Sequence, residues 1–418
     1  MKERKVRIIG IRGCRLPRDI GRLLEGCTTV FSSSRLKEVL EGQPGILPSV
    51  LRILPITPVD AMIGEIRRLQ AVEGCAVLAS GDPLFFGIGR RLISALGKEK
   101  LEFHPAISAI QAACARLGIP WDDAQIISLH GRKGSHALAG ILRHPKSIIL
   151  TDSKNSPDSI ARRLLEILEE AKARDFQDAI RIHVAEDLDC PGERVRSMDL
   201  AQAAAETFSP LNITVIETPC SRRMQGRGIG MSEQEIGHLR GLITKDEIRA
   251  VVLHKLRLAQ GILLWDIGAG SGSISLEAAR LFPDITAFAV ERDGEMQAII
   301  RGNIRKFGLF NIVPVDGEAP GILNSLPAPE RVFIGGSGGK LAPVIAHCAR
   351  VLPPWGIMVA TAILDSTARD APALMHDAGL KVDISRIAVV RRRYPGGNEH
   401  KLNEITIIRG IKMGDTTN

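Results

Sequence analysis

Hydrophobic positions in the first half of the chain follow two different periods. Short apolar and β-branched runs predict strands at residues 6–11, 29–31, 76–78, 148–150 and 213–216. Between these runs, apolar residues recur at steps of three and four, as they do over 59–69 and 160–168, which is typical of amphipathic helices. The first half is therefore predicted to be α/β.

The second half alternates strand and helix more regularly. A helix is predicted over 245–258, with Thr244 as its N-cap and Glu247 completing a capping box. The further elements predicted are strands at 262–265, 286–290, 332–334 and 358–361, and helices near 273–281, 295–306 and 341–351. This order implies a parallel sheet covered by helices. Two last strands, at 384–390 and 405–408, are expected to close the sheet as an antiparallel pair around a long loop.

A stretch without periodicity separates the two halves. Residues 218–228 are rich in arginine, glycine and other helix-breaking residues, which predicts a linker at about 218–227. The length of 418 residues suits two or three domains. We therefore expect one domain over 1–219 and another over 220–418, and no internal repeat relates them.

The charge of the chain is weakly basic and evenly distributed. Lysine plus arginine is 55 and aspartate plus glutamate is 47, a net charge of +8, with no basic tail. The aromatic residues are only 3 Trp, 1 Tyr and 11 Phe, so a nucleic-acid partner is not indicated. A modest positive field would suit a small polyanionic substrate.

The cysteines and the hydropathy pattern bear on localisation. Seven scattered cysteines, never spaced Cys-x-x-Cys, favour a reducing compartment. The N-terminus lacks the pattern of a signal peptide, and the longest uncharged stretch, 351–364, is short and interrupted by prolines. We expect a cytoplasmic protein with no membrane partner.

The sharpest chemical signal is a glycine-rich turn in the second half. A predicted strand runs into Gly268-Ala269-Gly270-Ser271-Gly272, which opens a predicted helix, so backbone N–H groups can face a ligand there. Glu291 follows the next strand, 19 residues beyond Gly272, where an acid commonly binds ribose hydroxyls. With Asp266 two residues before the first glycine, the loop resembles the S-adenosylmethionine loop of class I methyltransferases, in which Asp266 would help to position the amino-acid part of the cofactor.

Four ordered blocks extend this resemblance. Residues 242–249, 265–273, 317–320 and 333–339 closely resemble the CbiT-type corrinoid methyltransferases. The resemblance implies a class I, Rossmann-like domain, with Glu318 where that family usually has aspartate and Met231 where it usually has another aspartate. The residues it implies for binding S-adenosylmethionine are Thr244, Gly268, Ala269, Gly270, Ser271, Gly272, Glu291, Gly317, Glu318 and Ala319.

The first half resembles a second family. The segments 79–89, 104–109, 128–132 and 210–213 look like those of CbiE-type tetrapyrrole methylases, a two-lobed α/β fold that binds S-adenosylmethionine between its lobes. The family's first loop, usually Gly-x-Gly-Pro-Gly, is Gly10-Ile11-Arg12-Gly13-Cys14 here. The cofactor-binding residues implied by this resemblance are Gly81, Asp82, Pro83, Leu84, Ser108 and Ala109.

The order of the two halves is similar to that of fused CbiE-type/CbiT-type precorrin methyltransferases of cobalamin biosynthesis. That resemblance implies methylation of a precorrin, precorrin-6B or its cobalt form, at C5 by the first half and at C15 by the second, with decarboxylation of the C12 acetate. It also implies self-association into a homo-oligomer. No metal ligand set or general base stands out. The side chains considered for holding substrate carboxylates, each alternatively a solvated surface charge, are His130, Arg132, Lys245, Arg249 and Arg391.

Three other functions are considered beside this one. An NAD-dependent oxidoreductase would also place an acid after the second strand, but the Gly-x-Gly-x-Gly spacing disfavours it. A nucleic-acid methyltransferase would need a pocket for a flipped base, and no Asn/Asp-Pro-Pro-Tyr sequence is present. The last alternative is a corrinoid-binding scaffold with only one active half, in which the other half binds the corrinoid without catalysing a reaction.

Overall fold

The structure, a computed structural model, describes residues 5–42, 51–69, 73–129, 135–219 and 230–414. By their packing, these residues form two compact units. Unit 1 comprises Met1–Arg132, Lys146–Ser159 and Arg181–Ile216, and unit 2 comprises Lys133–Pro145, Ile160–Ile180 and Glu217–Asn418. Two segments of the first half thus group with unit 2. The domain boundary at 219/220 stays a prediction, and most of the predicted linker lies outside the described residues.

The elements before residue 219 include all five predicted strands, so those predictions are confirmed. In chain order they are β1 Val6–Ile11, α1 Ile20–Leu23, β2 Cys27–Ser32, α2 Ser34–Glu41, β3 Arg52–Pro55, α3 Val59–Leu69, β4 Gly74–Ser80, α4 Gly89–Leu96, β5 Leu101–His104, α5 Ala109–Leu117, β6 Gln125–Ser128, α6 Ser135–Leu142, β7 Lys146–Leu150, α7 Pro157–Glu170, α8 Arg174–Asp178, β8 Arg181–Glu186, β9 Arg194–Met198, α9 Leu200–Ala205 and β10 Asn212–Glu217.

Unit 1 contains two five-stranded sheets. The first has the order β3-β2-β4-β1-β5 with parallel neighbours, and the second has the order β6-β7-β10-β8-β9, in which β6 and β7 are parallel and β8 and β9 antiparallel. In β1, the successive residues Ile8 and Ile9 are both fully buried, so the first sheet is covered on both faces. This explains why β1, Val-Arg-Ile-Ile-Gly-Ile, has apolar residues at successive positions rather than in strict alternation with polar ones.

The elements after residue 230 form a mostly parallel sheet, as predicted. They are α10 Asp246–Leu256, β11 Leu263–Ile267, α11 Ser273–Leu281, β12 Thr286–Glu291, α12 Gly294–Phe307, β13 Ile312–Asp316, β14 Arg331–Ile334, α13 Leu341–Val351, β15 Ile357–Ala362, α14 Asp365–Asp377, β16 Leu380–Ile387, β17 Val390–Arg392, β18 Glu399–Lys401 and β19 Ile405–Lys412.

The order of this sheet creates the place for a site. It runs β13-β12-β11-β14-β15-β19-β16, so β11 is an interior strand, with β12 on one side and β14 on the other. The chain therefore reverses direction across the sheet at β11, and ligands bind at such switch points beyond the carboxyl ends of the strands. The expected antiparallel closure is confirmed, because β19 pairs antiparallel with both β15 and β16.

The predicted capping box at the start of α10 is wrong. The N-cap is Lys245, and no side chain caps the helix. The carbonyl of Thr244 instead accepts a hydrogen bond from Arg249 Nη1 at 2.8 Å. The carboxylate of Glu247 accepts one from Arg391 Nε at 2.9 Å, across 144 residues of sequence. A local side-chain contact to Thr244 O and a tertiary contact to Glu247 thus replace the capping box that the spacing indicated.

A disulfide joins two loops of unit 1. Cys14, in the loop after β1, is bonded to Cys190, in the loop after β8, across a sequence separation of 176 residues. The spacing of the cysteines gave no indication of this pair, because only the tertiary fold brings the two loops together. The interpretation of a reducing compartment stays a prediction.

Among the described helices, none has the length and apolarity to cross a membrane.

Candidate functional site

The glycine loop of unit 2 joins β11 to α11 and lies against the neighbouring strands. The N–H groups of Gly268 and Ala269 both donate to Val290 O, at 3.0 and 3.1 Å. Gly268 has φ +66°, and a Cβ there would lie 2.4 Å from Gly336 O. A side chain is therefore excluded at Gly268 both by conformation and by space.

Glu291 ends β12 and faces this loop. Its Oε2 accepts a hydrogen bond from Gly270 N at 2.9 Å, and its Oε1 accepts from Arg292 N and Asp293 N at 2.9 and 3.0 Å. The acid expected to bind ribose is thus in contact with the loop expected to bind the same ligand. A cavity of about 220 Å³ opens between them.

The cavity brings together only part of the predicted set. Its walls include Gly268, Glu291 and the segment 317–319 after β13, all of which were predicted. The residues 336–338 after β14, and Arg292, line it as well and were not among the predicted residues. A signal for 336–338 existed, because the glycine-rich block 333–339 was part of the resemblance. The predicted residues outside the lining are Thr244, Ala269, Gly270, Ser271 and Gly272.

Asp266 is buried beneath the glycine loop with one oxygen unused. Its Oδ2 accepts hydrogen bonds from Ser275 N at 3.1 Å and Ser275 Oγ at 2.7 Å, whereas Oδ1 has no hydrogen-bond partner among the described residues. Burial raises the pKa of Asp266 to about 6, and the charge of Glu291 adds to this effect. A carboxylate in this state would gain from a cationic group nearby.

Unit 1 has a second cleft, between its two sheets. Gly81, with φ +63°, follows β4, its N–H donates to Ile11 O at 2.8 Å, and its carbonyl accepts from Ala106 N at 3.2 Å. Ser108 forms a capping box with Gln111 at the start of α5. The cleft, of about 60 Å³, is lined by Gly81 and Ala109 of the predicted set, but not by Asp82, Pro83, Leu84 or Ser108.

Two family models match the chain. The model described as a precorrin methyltransferase domain matches residues 238–407, and the model described as tetrapyrrole (corrin/porphyrin) methylases matches residues 22–204. A precorrin-6Y C(5,15)-methyltransferase (decarboxylating) of Sinorhizobium sp is 35% identical over 346 residues, which are 82% of this chain and 80% of that relative. The chain belongs to the precorrin-6Y C(5,15)-methyltransferase family.

Two further similarities cover parts of the chain. A probable cobalt-precorrin-6B C(15)-methyltransferase (decarboxylating) of Pyrobaculum aerophilum is 33% identical over 171 residues, 40% of this chain and 87% of that relative. The crystal structure of a precorrin-6Y C5,15-methyltransferase from Geobacter metallireducens is 39% identical, with a TM-score of 0.43, and covers 44% of this chain and 96% of that one.

Membership in the precorrin-6Y C(5,15)-methyltransferase family confirms three predictions. The chain is a methyltransferase, S-adenosylmethionine is its methyl donor, and a tetrapyrrole methylase half precedes a precorrin methyltransferase half. The oxidoreductase alternative is thereby set aside. The assignment of particular residues to the cofactor or the substrate stays a prediction.

At the wall of the unit 2 cavity, Glu318 is held between two cations. It accepts hydrogen bonds from Lys340 Nζ at 2.5 Å and from Arg292 Nη1 at 2.7 Å. These two hydrogen bonds hold the pKa of Glu318 below its ordinary value. The carboxylate is therefore ionised at neutral pH and available as an acceptor.

The basic residues considered for substrate carboxylates have different surroundings. Arg391 lies between Glu233 and Glu247, with Nη2 2.6 Å from Glu233 Oε1, and Lys245 Nζ lies 2.8 Å from Glu233 Oε2. These partly exposed side chains share two carboxylates, so substrate would have to compete for them. His130 and Arg132 lie outside the described residues.

The surroundings of Arg249 do not suit the predicted role of binding a substrate carboxylate. Its side chain is fully buried, its Nε donates to the buried carboxylate of Glu277, and its Nη2 donates to Met231 O. Glu277 Oε1 in turn accepts from Gly230 N at 2.6 Å. Because its guanidinium is enclosed and bonded on all sides, Arg249 anchors the segment before α10 rather than facing a substrate.

In the described part of the chain, no group of three or more His, Cys, Asp or Glu could hold a metal ion.

Proposed function

We propose that this chain carries out two methyl transfers from S-adenosylmethionine to one precorrin-type tetrapyrrole, at C5 in the first half and at C15 in the second, with loss of the C12 acetate carboxyl group as carbon dioxide. The observation that carries the proposal is the presence of two separate clefts, each formed at a glycine turn after a buried parallel strand. One family model matches around each cleft.

The side chains around the second cleft suit a cationic nucleoside. S-adenosylmethionine supplies an electrophilic methyl group on a sulfonium. Glu291, already an acceptor at the cavity wall, would accept from ribose hydroxyls, and Glu318 would accept from the adenine amino group. The unpartnered Oδ1 of Asp266 lies below the loop that would carry the amino-acid part of the cofactor.

The role left to the protein is alignment rather than activation. An electron-rich meso carbon can attack the methyl group directly, so no nucleophilic side chain is required. Electrons released by carbon dioxide loss can be delocalised in the macrocycle, so the substrate provides its own electron sink. Lys245 and Arg391 would stabilise the remaining carboxylates by exchanging partners with Glu233 and Glu247.

The test uses the full chain, methyl-labelled S-adenosylmethionine and a precorrin acceptor in metal-free and cobalt forms. Mass spectrometry should find two labelled methyl groups and one lost carbon dioxide for one of the two forms. A product with a single methyl group would instead support a chain in which one half only binds. No methylated product from either form would refute the proposal.

A variant separates the two halves. Gly270 has φ +56° and open space beside it, so Gly270→Val introduces both strain and bulk at the loop. We expect this variant to lose C15 methylation and decarboxylation and to keep C5 methylation. If C15 methylation persisted, the assignment of this loop to the cofactor would be wrong.

We also propose that the protein is cytoplasmic and self-associates. The family resemblance in the sequence supports self-association. If the chain self-associates, light scattering during size-exclusion chromatography should give a mass of at least twice 45.3 kDa.

A further inference from the structure

A larger groove adjoins the cleft of unit 1. It has a volume of about 470 Å³ and shares Arg12 with the smaller cleft. Gly10 and Ala106 line the groove, while the adjacent Gly81 lines the cleft, and a Cβ on Gly10 would lie only 2.1 Å from Gly81 O. Because the reacting atoms of a methyl transfer must approach to about 3 Å, the groove is the place for the acceptor if the cleft holds the donor.

Arginine side chains give this groove a positive charge. Arg12 Nε donates to Asp189 Oδ2 at 2.6 Å, and Arg15 Nε lies 3.8 Å from Asp189 Oδ1. Arg116 Nη2 also donates to Asp189 Oδ1 at 3.1 Å. The charge of Arg116 is balanced by a second carboxylate, because Glu193 Oε1 accepts from Arg116 Nε at 2.7 Å. Arg12 and Arg15 therefore share one carboxylate between two cations. The groove lining contains one acidic side chain, the exposed Asp19.

The loop that carries Arg12 is held rigidly. The Cys14–Cys190 disulfide joins it to the loop after β8, Cys14 N donates to Asp189 O at 3.3 Å, and Arg35 Nη1 donates to Gly13 O at 2.8 Å. Asp189, whose side chain is 1% exposed, fixes the direction of the guanidinium. Burial alone would raise the pKa of Asp189, but the hydrogen bond and charge of Arg12 hold it below its ordinary value, so the pair stays ionic.

We propose that Arg12 and Arg15 bind a peripheral carboxylate of the methyl acceptor in the first half, and that Asp189 is the positioning residue for Arg12. The inference rests on the proposed function of that half. Nη1 and Nη2 of Arg12 have no hydrogen-bond partner among the described residues, so they can form the paired N–H contacts that a carboxylate accepts. The loop thereby selects macrocycles that carry free carboxylates.

The experiment compares Arg12→Gln, Arg12→Lys and Arg15→Ala in the full chain, with Arg18→Ala as the matched control. Arg18 is an exposed arginine in the same segment and does not line the groove. We expect KM for C5 methylation to rise about 10- to 100-fold in Arg12→Gln and at least about 3-fold in Arg15→Ala, with kcat nearly unchanged. Arg12→Lys should recover part of the loss because it keeps the charge without the fork geometry.

C15 methylation by the same chain is the internal control for folding and should not change. Absorbance titration of the macrocycle, with its methyl ester for comparison, measures binding without methyl transfer. The proposal is overturned if the Arg12 and Arg15 variants change KM and macrocycle affinity no more than Arg18→Ala does. It is overturned as well if free acid and ester bind the wild type equally. If wild-type chain binds the free acid in the groove but transfers no methyl to C5, the proposed function of the first half fails while the binding role stands.

Discussion

The substitution Asp266→Asn should stabilise unit 2 while weakening its cofactor site. Asp266 is fully enclosed, and its Oδ1 has no hydrogen-bond partner among the described residues. The carboxylate therefore loses hydration on folding and recovers only part of that loss from the two hydrogen bonds of Ser275. An amide of the same shape removes the buried charge.

The magnitude follows from the pKa of Asp266. Its rise from an ordinary 3.8 to about 6 corresponds to about 3 kcal/mol of lost stability at pH 7. Because the pKa is higher in the folded state, the folded state binds more protons, so stability is complete below pH 3.8 and falls as the pH rises through about 6. The amide leaves an N–H donor without an acceptor, which costs about 1–2 kcal/mol. The net gain expected at pH 7 is about 1–2 kcal/mol.

Calorimetric unfolding at several values between pH 4.5 and 7.5 measures this slope. Wild type should lose stability across the range in the transition of unit 2, and Asp266→Asn should lose less. The exposed Asp284 provides the matched control, Asp284→Asn, which should follow wild type. Titration calorimetry should show that the unit 2 site of Asp266→Asn binds S-adenosylmethionine at least about tenfold more weakly than that of wild type. A variant that is less stable than wild type at pH 7 and equally pH-dependent would refute the reasoning.

Three further predictions concern stability and the cofactor loop. Glu277→Gln removes the buried carboxylate that pairs with Arg249, leaving only the partly exposed Asp246 at 2.8 Å from Nη2, and should destabilise unit 2 by about 3–5 kcal/mol, seen as a lower Tm of that unit alone. Reduction of the Cys14–Cys190 disulfide, or Cys14→Ser, should destabilise unit 1 by about 2–5 kcal/mol without moving the transition of unit 2; equal effects on both units would contradict this. Gly268→Ala should abolish cofactor binding in the second half, measured by titration calorimetry, and leave C5 methylation intact.

Much of the fold follows from local pattern. The predicted helices 273–281 and 341–351 coincide with α11 and α13, because apolar residues at helical spacing are framed there by glycine or proline. The short strands of the second sheet were harder to predict. β9 has the sequence Arg-Val-Arg-Ser-Met with its arginines facing Glu186, and such a strand has no continuous apolar signal.

The candidate site was predicted where backbone conformation dictates sequence. Gly268 and Gly81 have positive φ in confined space, so glycine is required there and can be recognised in a single sequence. The burial of Arg249 has no such sequence signal. Nothing local distinguishes an arginine that will be buried against Glu277 from one that will face a substrate, because the distinction depends on a partner 28 residues away.

The two halves hold their ligand-facing loops by different physical means. In unit 2, the carboxylate of Glu291 accepts from the N–H groups of Gly270, Arg292 and Asp293, so a ligand that recruits this carboxylate must compete with the loop that it holds. In unit 1, the loop after β1 is fixed by a covalent bond and by Asp189, neither of which a ligand would have to displace. The second site can therefore adjust to its ligand by exchanging hydrogen bonds. The first site is already organised before binding, and its arginine direction is set by the protein alone.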